Sequence, residues 1–428
     1  MIRIFDAAVC TRAEMLFRDT GAEASAEAAV DAILQDVREN GDRALLAYAK
    51  KFDRAELTQV EVSAAEIDAA MAALPEELLE TIRRSAEHIR AFHSRQVRTG
   101  FSIDDRPGVV LGQRILPLMR VGIYVPGGRA SYPSTVLMNA IPAKLAGVPE
   151  ILMTTPPQAD GTVAPAILAA ARIAGVNRIF KTGGAQAVAA LAYGTETIPR
   201  VDKIVGPGNV FVATAKRKVF GQVSIDMIAG PSEILVVADE KTNPVYAAAD
   251  LLSQAEHDPM AAPILVTDSM ALAKKVQQEL ERQIPLLPKA EICRTSVDSN
   301  GKIIVAATLA EAVDIANDIA PEHLELCVDD PFALLGLVKN AGSIFLGRNA
   351  PEALGDYFAG PNHTLPTSGT ARFSSPLSVD DFIKKSSFIY YTREALQAEC
   401  GDIVRFAEQE GLRAHARSVS VRFEEEQQ

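Results

Sequence analysis

Apolar residues recur at helical spacing through much of the first hundred residues. In residues 21–40 and 74–96 they fall at positions i, i+3, i+4 and i+7, the pattern of an amphipathic helix. Pro75, followed by Glu76 and Glu77, is a favourable start for the second of these helices. The pattern therefore predicts that the chain begins with helices.

From about Arg120 the pattern changes to short β-rich runs that alternate with helical runs. The first series of β-rich runs is VGIYVPGG, EILMTTPP, RIFKTGG and DKIVGPG. A second series follows with SEILVVAD, APILVTD, KIIVAA and GSIFLG, and a helix is predicted from Ser269 to Gln283. This alternation is typical of βα units on a parallel sheet, and right-handed crossovers would bring the glycine turns to its carboxyl edge.

After about Thr367 the alternation gives way to predicted loops, a helical stretch from about residue 393 and a terminal EEEQQ that we expect to be disordered. A chain of 428 residues is too long for one simple core. We therefore expect an α/β protein with two Rossmann-like parallel-sheet domains and helical extensions at both ends.

Composition and charge exclude several classes of protein. The net charge of −12 argues against a nucleic-acid-binding surface, which normally carries a basic patch. No apolar run is long enough to span a bilayer, and the first residues do not resemble a secretory signal. The four cysteines lack metal-type spacing, so we expect free thiols in the cytoplasm, with Cys327 as a buried structural residue.

Glycine turns follow several of the predicted strands, but the usual GxGxxG loop of dinucleotide-binding proteins is absent. Glycine lets the backbone approach a ligand, and a helix start offers free N–H groups to phosphate. Each turn alone is better explained as an ordinary βα connection. Together they make a nucleotide site plausible: Pro126-Gly127-Gly128, Gly183-Gly184 and Gly206-Pro207-Gly208, beside Tyr124, Gln186 and Asn209.

Four of the six histidines lie in acidic, polar or glycine-rich surroundings, at positions 257, 323, 363 and 415. Gln254 and His257 are three residues apart at the end of a predicted helix and so share a face. Histidine nitrogens with oxygen donors would suit zinc, and also cobalt or manganese. The spacing alone does not identify a metal, since any one of these histidines could be a surface or hydrogen-bonded residue.

Eight stretches of the chain resemble the histidinol dehydrogenase family and occur in the order that this family shows. They lie between about residues 120 and 415 and read VGIYVPGG, GGAQAVAALAYGT, VDKIVGPGN, GPSE, DLLSQAEHD, APEHLEL, GDYFAGPNH and EGLRAH. The resemblance implies oxidation of L-histidinol to L-histidine in two steps with two NAD⁺, at the end of histidine biosynthesis. It also implies one Zn²⁺ per subunit.

The resemblance also implies roles for particular residues. The implied zinc ligands are Gln254, His257, Asp356 and His415. The implied NAD contacts are Tyr124, Gln186 and Asn209. The implied substrate contacts, beside the zinc ligands, are Ser232, His323, His363 and Glu410.

Family members are homodimers in which the C-terminal segment of one subunit completes the active site of its partner. Glu410 and His415 are thus expected to act in the partner subunit. The implied domains are a helical segment 1–25, a metal and catalytic domain of 26–119 with 233–375, an NAD domain of 120–232, and a C-terminal segment of 376–428.

Glu322 and His323 are the implied catalytic residues. A histidine with a pKa near ~6.5 is suited to accept the hydroxyl proton as hydride leaves. Pro321 predicts that this pair opens a helix, whose dipole would favour the neutral imidazole. Glu322 would activate the water that hydrates the aldehyde, although without the resemblance it is better explained as a helix N-terminal charge.

Three other functions stay open. The first is a related dehydrogenase of another small alcohol, such as a sulfonated diol. The second is a zinc hydrolase, although the HExxH motif is absent and the glycine turns would have no purpose. The third is a non-catalytic binding protein, against which the intact Glu322, His323 and four ligand positions argue.

Overall fold

The computed structural model describes residues 1–16, 26–127 and 131–424. Three of the predictions fall partly outside these residues: the start of the first helix at 21–25, Gly128 of the first glycine turn, and residues 425–428 of the tail. The chain forms two compact units, one of Met1–Gln96 with Leu118–Phe382 and one of Val97–Pro117 with Ile383–Gln428.

Strands and helices alternate through most of the first unit, as the pattern predicts. The strands of the described chain are β1 (Arg3–Asp6), β2 (Phe101–Ile103), β3 (Val109–Pro117), β4 (Arg120–Tyr124), β5 (Glu150–Thr155), β6 (Arg178–Lys181), β7 (Lys203–Val205), β8 (Ser224–Ile225), β9 (Glu233–Ala238), β10 (Ala262–Thr267), β11 (Lys302–Val305), β12 (His323–Cys327), β13 (Ser343–Leu346) and β14 (Ile383–Tyr391).

Several helices of the described chain begin at side-chain caps that the sequence provides. For example, the Ser269 side chain accepts a hydrogen bond from the N–H of Leu272 at the start of the helix predicted there. The helices are α1 (Arg12–Leu16), α2 (Glu27–Tyr48), α3 (Ala64–Ala73), α4 (Glu76–His93), α5 (Pro133–Leu145), α6 (Pro165–Ala174), α7 (Gly184–Tyr193), α8 (Val210–Val219), α9 (Pro244–Ala255), α10 (Met270–Gln283), α11 (Ala290–Ser299), α12 (Leu309–Ile319), α13 (Pro331–Leu335), α14 (Glu352–Tyr357), α15 (Arg393–Gln409) and α16 (Arg413–Ser420).

A six-stranded parallel sheet has the strand order β1–β11–β10–β9–β12–β13. Successive residues of β9 face opposite sides: Ile234 and Val236 pack against α9, α10 and α11, and Leu235 and Val237 pack against α12. Burial on both faces explains the nearly continuous apolar strands and confirms the parallel-sheet prediction.

A five-stranded parallel sheet has the strand order β6–β5–β4–β7–β8. Helices α3, α4, α5 and α6 cover one face of this sheet, and α2, α7 and α8 cover the other. The N-terminal helices thus pack on the 120–232 region, whereas the predicted grouping places 26–119 with 233–375. The strand order reverses between β4 and β7, the kind of position where open α/β sheets bind ligands.

Two segments differ from the expectation of helical ends and a loop after Thr367. Residues Arg3–Asp6 form β1, which pairs in parallel with β11, so the predicted helical segment begins with a strand. The predicted loop after Thr367 is wrong for β14, which pairs with β3 in the antiparallel sheet β14–β3–β2 of the second unit. The helical tail is confirmed as α15 and α16. No helix in the described ranges is both long and apolar enough to cross a membrane.

Candidate active site

The candidate catalytic residues gather at the amino edge of the six-stranded sheet. His323 is the first residue of β12 and pairs in register with Ile234, the second residue of β9. The helix that follows β9 runs back across the sheet, so Gln254 near its C-terminus returns to the same edge. Ligand sites in α/β sheets more often lie at the carboxyl edge, where the glycine turns are predicted to meet. The glycine turns therefore do not predict a site at the amino edge.

The predicted helix at Pro321 is wrong. Helix α12 ends before this segment, at Ile319, and the next residue, Ala320, has a left-handed φ of +50° and donates its N–H to the Ala316 carbonyl. The chain then enters β12 at His323. The helix dipole therefore cannot be what keeps the imidazole of His323 neutral.

Burial and one backbone contact determine the state of His323 instead. The ring is 4% exposed, and desolvation lowers its pKa despite the opposing charge of Asp356. Nδ1 lies 2.9 Å from the carbonyl oxygen of Glu233. Because a carbonyl only accepts, Nδ1 carries the hydrogen and the lone pair is on Nε2. His323 is thus a neutral imidazole with Nε2 available as a proton acceptor.

The same Glu233 backbone also holds Glu322. Its N–H donates to Oε2 of Glu322 at 2.8 Å, and this oxygen lies 3.6 Å from Nδ1 of His323. Burial raises the pKa of Glu322 well above its usual range, with the charge of Glu233 adding to the effect. Residue 233 therefore orients both predicted catalytic side chains, a role that sequence reasoning does not reveal.

Asp356 and His363 form a second pair at this edge. Oδ1 of Asp356, in α14, lies 3.3 Å from Nδ1 of His363. Burial raises the pKa of Asp356, but the hydrogen bond and charge of His363 outweigh it and lower the pKa to about 2. Nε2 of His363 lies 3.4 Å from Oγ1 of Thr135, in the first turn of α5. Asp356 is therefore an ionised carboxylate facing histidines.

Gln254 and His257 join the same group. Gln254 is 2% exposed in the last turn of α9, and its amide is close enough to the carboxylate of Glu352 to lower the pKa of that acid. His257 follows the helix and keeps an exposed edge, yet desolvation of its ring lowers its pKa, while Asp356 acts in the opposite direction. Gln254 therefore contacts Glu352, and His257 lies within electrostatic range of Asp356.

Glu352 is a further member of the site that sequence reasoning missed. It is 2% exposed, and its Oε1 lies 3.7 Å from Nε2 of His323 without a hydrogen-bond partner in the described chain. Its Oε2 accepts from Ser253 at 3.1 Å. Burial and the charge of Asp356 raise its pKa to about 8. A signal exists in the sequence, since positions 352 and 356 are i, i+4 on one helix face.

Nitrogen and oxygen donors are therefore concentrated at one place. Within the described ranges, one ligand atom each from His323, Glu352 and Asp356 lie within 4.8 Å of one another. Carboxylate, imidazole and amide donors of this kind match the ligands that zinc accepts.

Comparison with known proteins identifies the family. The family model for histidinol dehydrogenase matches residues 17–423. The chain is 59% identical to histidinol dehydrogenase of Syntrophotalea carbinolica over 93% of both chains, and 54% identical to that of Listeria monocytogenes over 95% of both. It belongs to the histidinol dehydrogenase family. The crystal structure of histidinol dehydrogenase from Elizabethkingia anophelis agrees, with a TM-score of 0.93 at 39% identity, over 99% of this chain and 98% of that one.

The residues that the family resemblance assigns to NAD lie at the carboxyl edge of the five-stranded sheet. Tyr124 ends β4, and its hydroxyl oxygen accepts from the N–H of Gly184 at 3.0 Å. Burial raises the pKa of Tyr124 to about 12. Gln186 is buried in the first turn of α7. Asn209 caps α8 by accepting from two of its N–H groups.

The remaining predicted residues lie elsewhere along the chain. Ser232 immediately precedes β9 and is half-buried, with its carbonyl accepting from the N–H of Ala262. Glu410 and His415 lie in the second unit, the first at the end of α15 and the second in α16, and both are exposed. The first unit thus contains every predicted site residue except these two.

Proposed function

We propose that this chain catalyses the NAD-dependent, four-electron oxidation of L-histidinol to L-histidine through histidinal, at the end of histidine biosynthesis. Family membership supports the substrate, and the state of His323 supports the chemistry. A buried neutral imidazole with an open Nε2, beside Asp356 and Glu352, is the observation that carries the proposal.

His323 acts in both oxidations as the proton acceptor. As hydride passes from the carbinol carbon to NAD⁺, Nε2 takes the hydroxyl proton, leaving the aldehyde, NADH and an imidazolium. Water must then add to the aldehyde before the second hydride transfer. Glu322 is the proposed base for that water, and its raised pKa makes its carboxylate a stronger proton acceptor.

The chain's own donors fit the proposed zinc ion. Gln254, His257 and Asp356 would hold it in the first unit, and His415 of the partner subunit would be the fourth ligand. The buried Oε1 of Glu352, which lacks a hydrogen bond within the described chain, supports a charged or polar occupant at this point. When bound, zinc would fix the imidazole and amine nitrogens of histidinol and so orient its carbinol carbon.

NAD⁺ is proposed to bind at the switch point between β4 and β7. The turns at Gly184 and Gly206 come close to Tyr124, and both glycines have positive φ, of +62° and +111°. Such turns leave the backbone open to a pyrophosphate. Tyr124, Gln186 and Asn209 are the proposed side-chain contacts.

The second unit supports the proposal of a homodimer whose subunits share their active sites. Its buried hydrophobic residues within the described chain are only Val109, Ala407 and Ala416. Large apolar side chains are exposed instead, including Phe406 at 71%, Ile389 at 75% and Tyr390 at 58%. An exposed apolar surface of this kind is typical of an interface, and a second copy would also bring in Glu410 and His415.

The four free cysteines support a reducing, cytoplasmic location.

The decisive experiment measures NADH formed per histidinol together with zinc content. We expect two NADH per histidinol, lost on chelation and restored by zinc. His323→Ala should abolish turnover while zinc stays bound, and His88→Ala, at an exposed histidine, should not. Rapid oxidation of another alcohol with none of histidinol would overturn the substrate. Unchanged turnover of His323→Ala would remove the base.

A further inference from the structure

A buried ion pair lies behind the turn that follows β7. Nζ of Lys216, in α8, bonds Oδ1 of Asp226, which follows β8. The two side chains are 3% and 1% exposed, so the charges are removed from water on both sides. Neither residue belongs to the proposed catalytic, zinc or NAD contacts.

Both members of the pair bind the backbone of the same residue. Nζ of Lys216 donates to the carbonyl oxygen of Gly206 at 3.0 Å. Oδ2 of Asp226 accepts from the N–H of Gly206 at 2.7 Å. Asp226 also accepts from the N–H of Met227 at 2.6 Å, which ties the loop after β8 to the turn after β7.

The turn that this pair holds has little freedom to move. Gly206 has a φ of +111°, and a Cβ built on it would lie 2.1 Å from the carbonyl oxygen of Tyr124. Asn209, three residues later, uses its side-chain oxygen to cap α8, which leaves its amide nitrogen free of that role. A shift of the Gly206 peptide would therefore change its contact with the backbone of Tyr124 and move the start of α8.

Stability alone is a weak reason for a buried ion pair here. Desolvation of two charges can exceed their attraction, and apolar pairs of similar volume are often as stable or more stable. An apolar pair, however, could not bind the N–H and the carbonyl oxygen of one peptide unit. The pair is also neutral overall, so it adds no net charge at a site proposed to bind a pyrophosphate.

We propose that Lys216 and Asp226 are positioning residues of the nucleotide site, which hold the Gly206 turn and the start of α8 in the shape that NAD⁺ requires. This inference rests on the proposed NAD-dependent function. It assigns the affinity for NAD⁺, rather than the hydride-transfer chemistry, to the ion pair.

The test compares a double variant, Lys216→Met with Asp226→Leu, to the zinc-loaded wild-type enzyme. We expect the Kd for NAD⁺, measured by calorimetric titration, and the KM for NAD⁺ to rise at least tenfold. The KM for histidinol and kcat at saturating NAD⁺ should change less than threefold. The melting temperature should fall by a few degrees, because the apolar side chains leave the buried N–H and carbonyl oxygen of Gly206 without these partners, so the titrations are run well below it.

The Lys203–Asp381 pair is a matched control. Lys203 begins β7, at the end of the strand opposite the Gly206 turn, and its Nζ lies 2.9 Å from Oδ1 of Asp381, with side chains 9% and 27% exposed. Lys203→Met with Asp381→Leu should leave the affinity for NAD⁺ unchanged. An equal loss of affinity for NAD⁺ in both double variants would show that removing any ion pair of this sheet weakens binding, and it would overturn the proposal.

Two further outcomes are separable. If the double variant does not fold, Asp226→Asn keeps the shape of the side chain and removes its charge, and the same tenfold rise in Kd is expected. A folded variant with wild-type affinity for NAD⁺ overturns the positioning role. A wild-type enzyme that binds no NAD⁺ in the same titration overturns the proposed function instead.

Discussion

Glu325 is a buried acid in β12, and its protonation should make the stability of the fold depend on pH. The side chain is 2% exposed, and its Oε1 accepts from the N–H of Glu352 at 2.8 Å. It also hydrogen-bonds the carboxyl group of Asp250. Burial, with the charge of Asp250 adding to it, raises the pKa of Glu325 well above its usual range, and burial raises that of Asp250 to about 6.

The direction of this pH dependence follows from whether the folded or the unfolded chain binds more protons. A carboxyl group with a raised pKa keeps its proton in the folded chain at a pH where the unfolded chain has released it. Stability that depends on this proton is therefore present at low pH and is lost as the pH rises above the ordinary value of 4.5. Over the range where folded Glu325 stays protonated, the loss is about 1.4 kcal/mol per pH unit.

Glu325→Gln isolates this effect. The amide keeps an oxygen that accepts from Glu352 and an NH₂ that donates to Asp250, so it mimics the protonated acid at every pH. The variant should be increasingly more stable than the wild type as the pH rises above about 5. With an unfolding entropy of ~2.1 cal/mol/K per residue, each kcal/mol of stability changes the melting temperature of a chain of this length by roughly 1 °C.

The assay is a series of melting temperatures for both proteins at pH 5, 6, 7 and 8. The difference should widen by about 1.5 °C per pH unit for as long as folded Glu325 stays protonated, and should level off once the pH passes its raised pKa. Glu77→Gln, which changes an exposed glutamate, should show no such trend. A difference that stays constant with pH, or that narrows, would show that Glu325 does not hold an extra proton in the folded state.

Three further changes test other parts of the structure. Glu352→Gln alters the oxygen 3.7 Å from Nε2 of His323 and should lower kcat ~10- to 100-fold, so an unchanged kcat would exclude Glu352 from the site. Gly206→Ala places a Cβ 2.1 Å from Tyr124 O at positive φ and should lower stability by more than ~1 kcal/mol, read as a lower melting temperature. Phe406→Asp charges a side chain that is 71% exposed and should weaken the proposed dimer, and an unchanged mass in light scattering would exclude it from the interface.

The parallel sheets could be predicted because their strands are buried on both faces. Runs such as Glu233–Ala238 are almost wholly apolar, and capped helices separate them at regular intervals. Strand β14 carries no such signal, because nearly all of its residues are exposed and its ordering depends on the antiparallel partner β3. The apolar pattern of a sequence indicates which residues are buried, so it cannot predict a strand whose residues are nearly all exposed.

The candidate site was predictable by resemblance more than by local pattern. The peptide backbone that sets the state of His323 belongs to Glu233, 90 positions earlier in the chain, so no local motif can reveal it. Pro321 suggested a helix because proline favours a first turn, but it equally suits the extended segment that leads into β12. The sequence signal for Glu352 is its i, i+4 spacing to Asp356, and its role becomes clear from its burial beside Nε2 of His323.

Helix α5 connects the two parts of the proposed reaction. It follows β4, so its first turn lies at the carboxyl edge where Tyr124 ends the strand. The same turn places Thr135 3.4 Å from His363, and the carbonyl of Met138 accepts from Asn362 at 2.6 Å. One rigid element thus touches the loop that carries His363 and begins beside the proposed nucleotide edge. Since hydride transfer needs both reactants in contact, the position of this helix supports the proposal that the two sheets contribute to one active site.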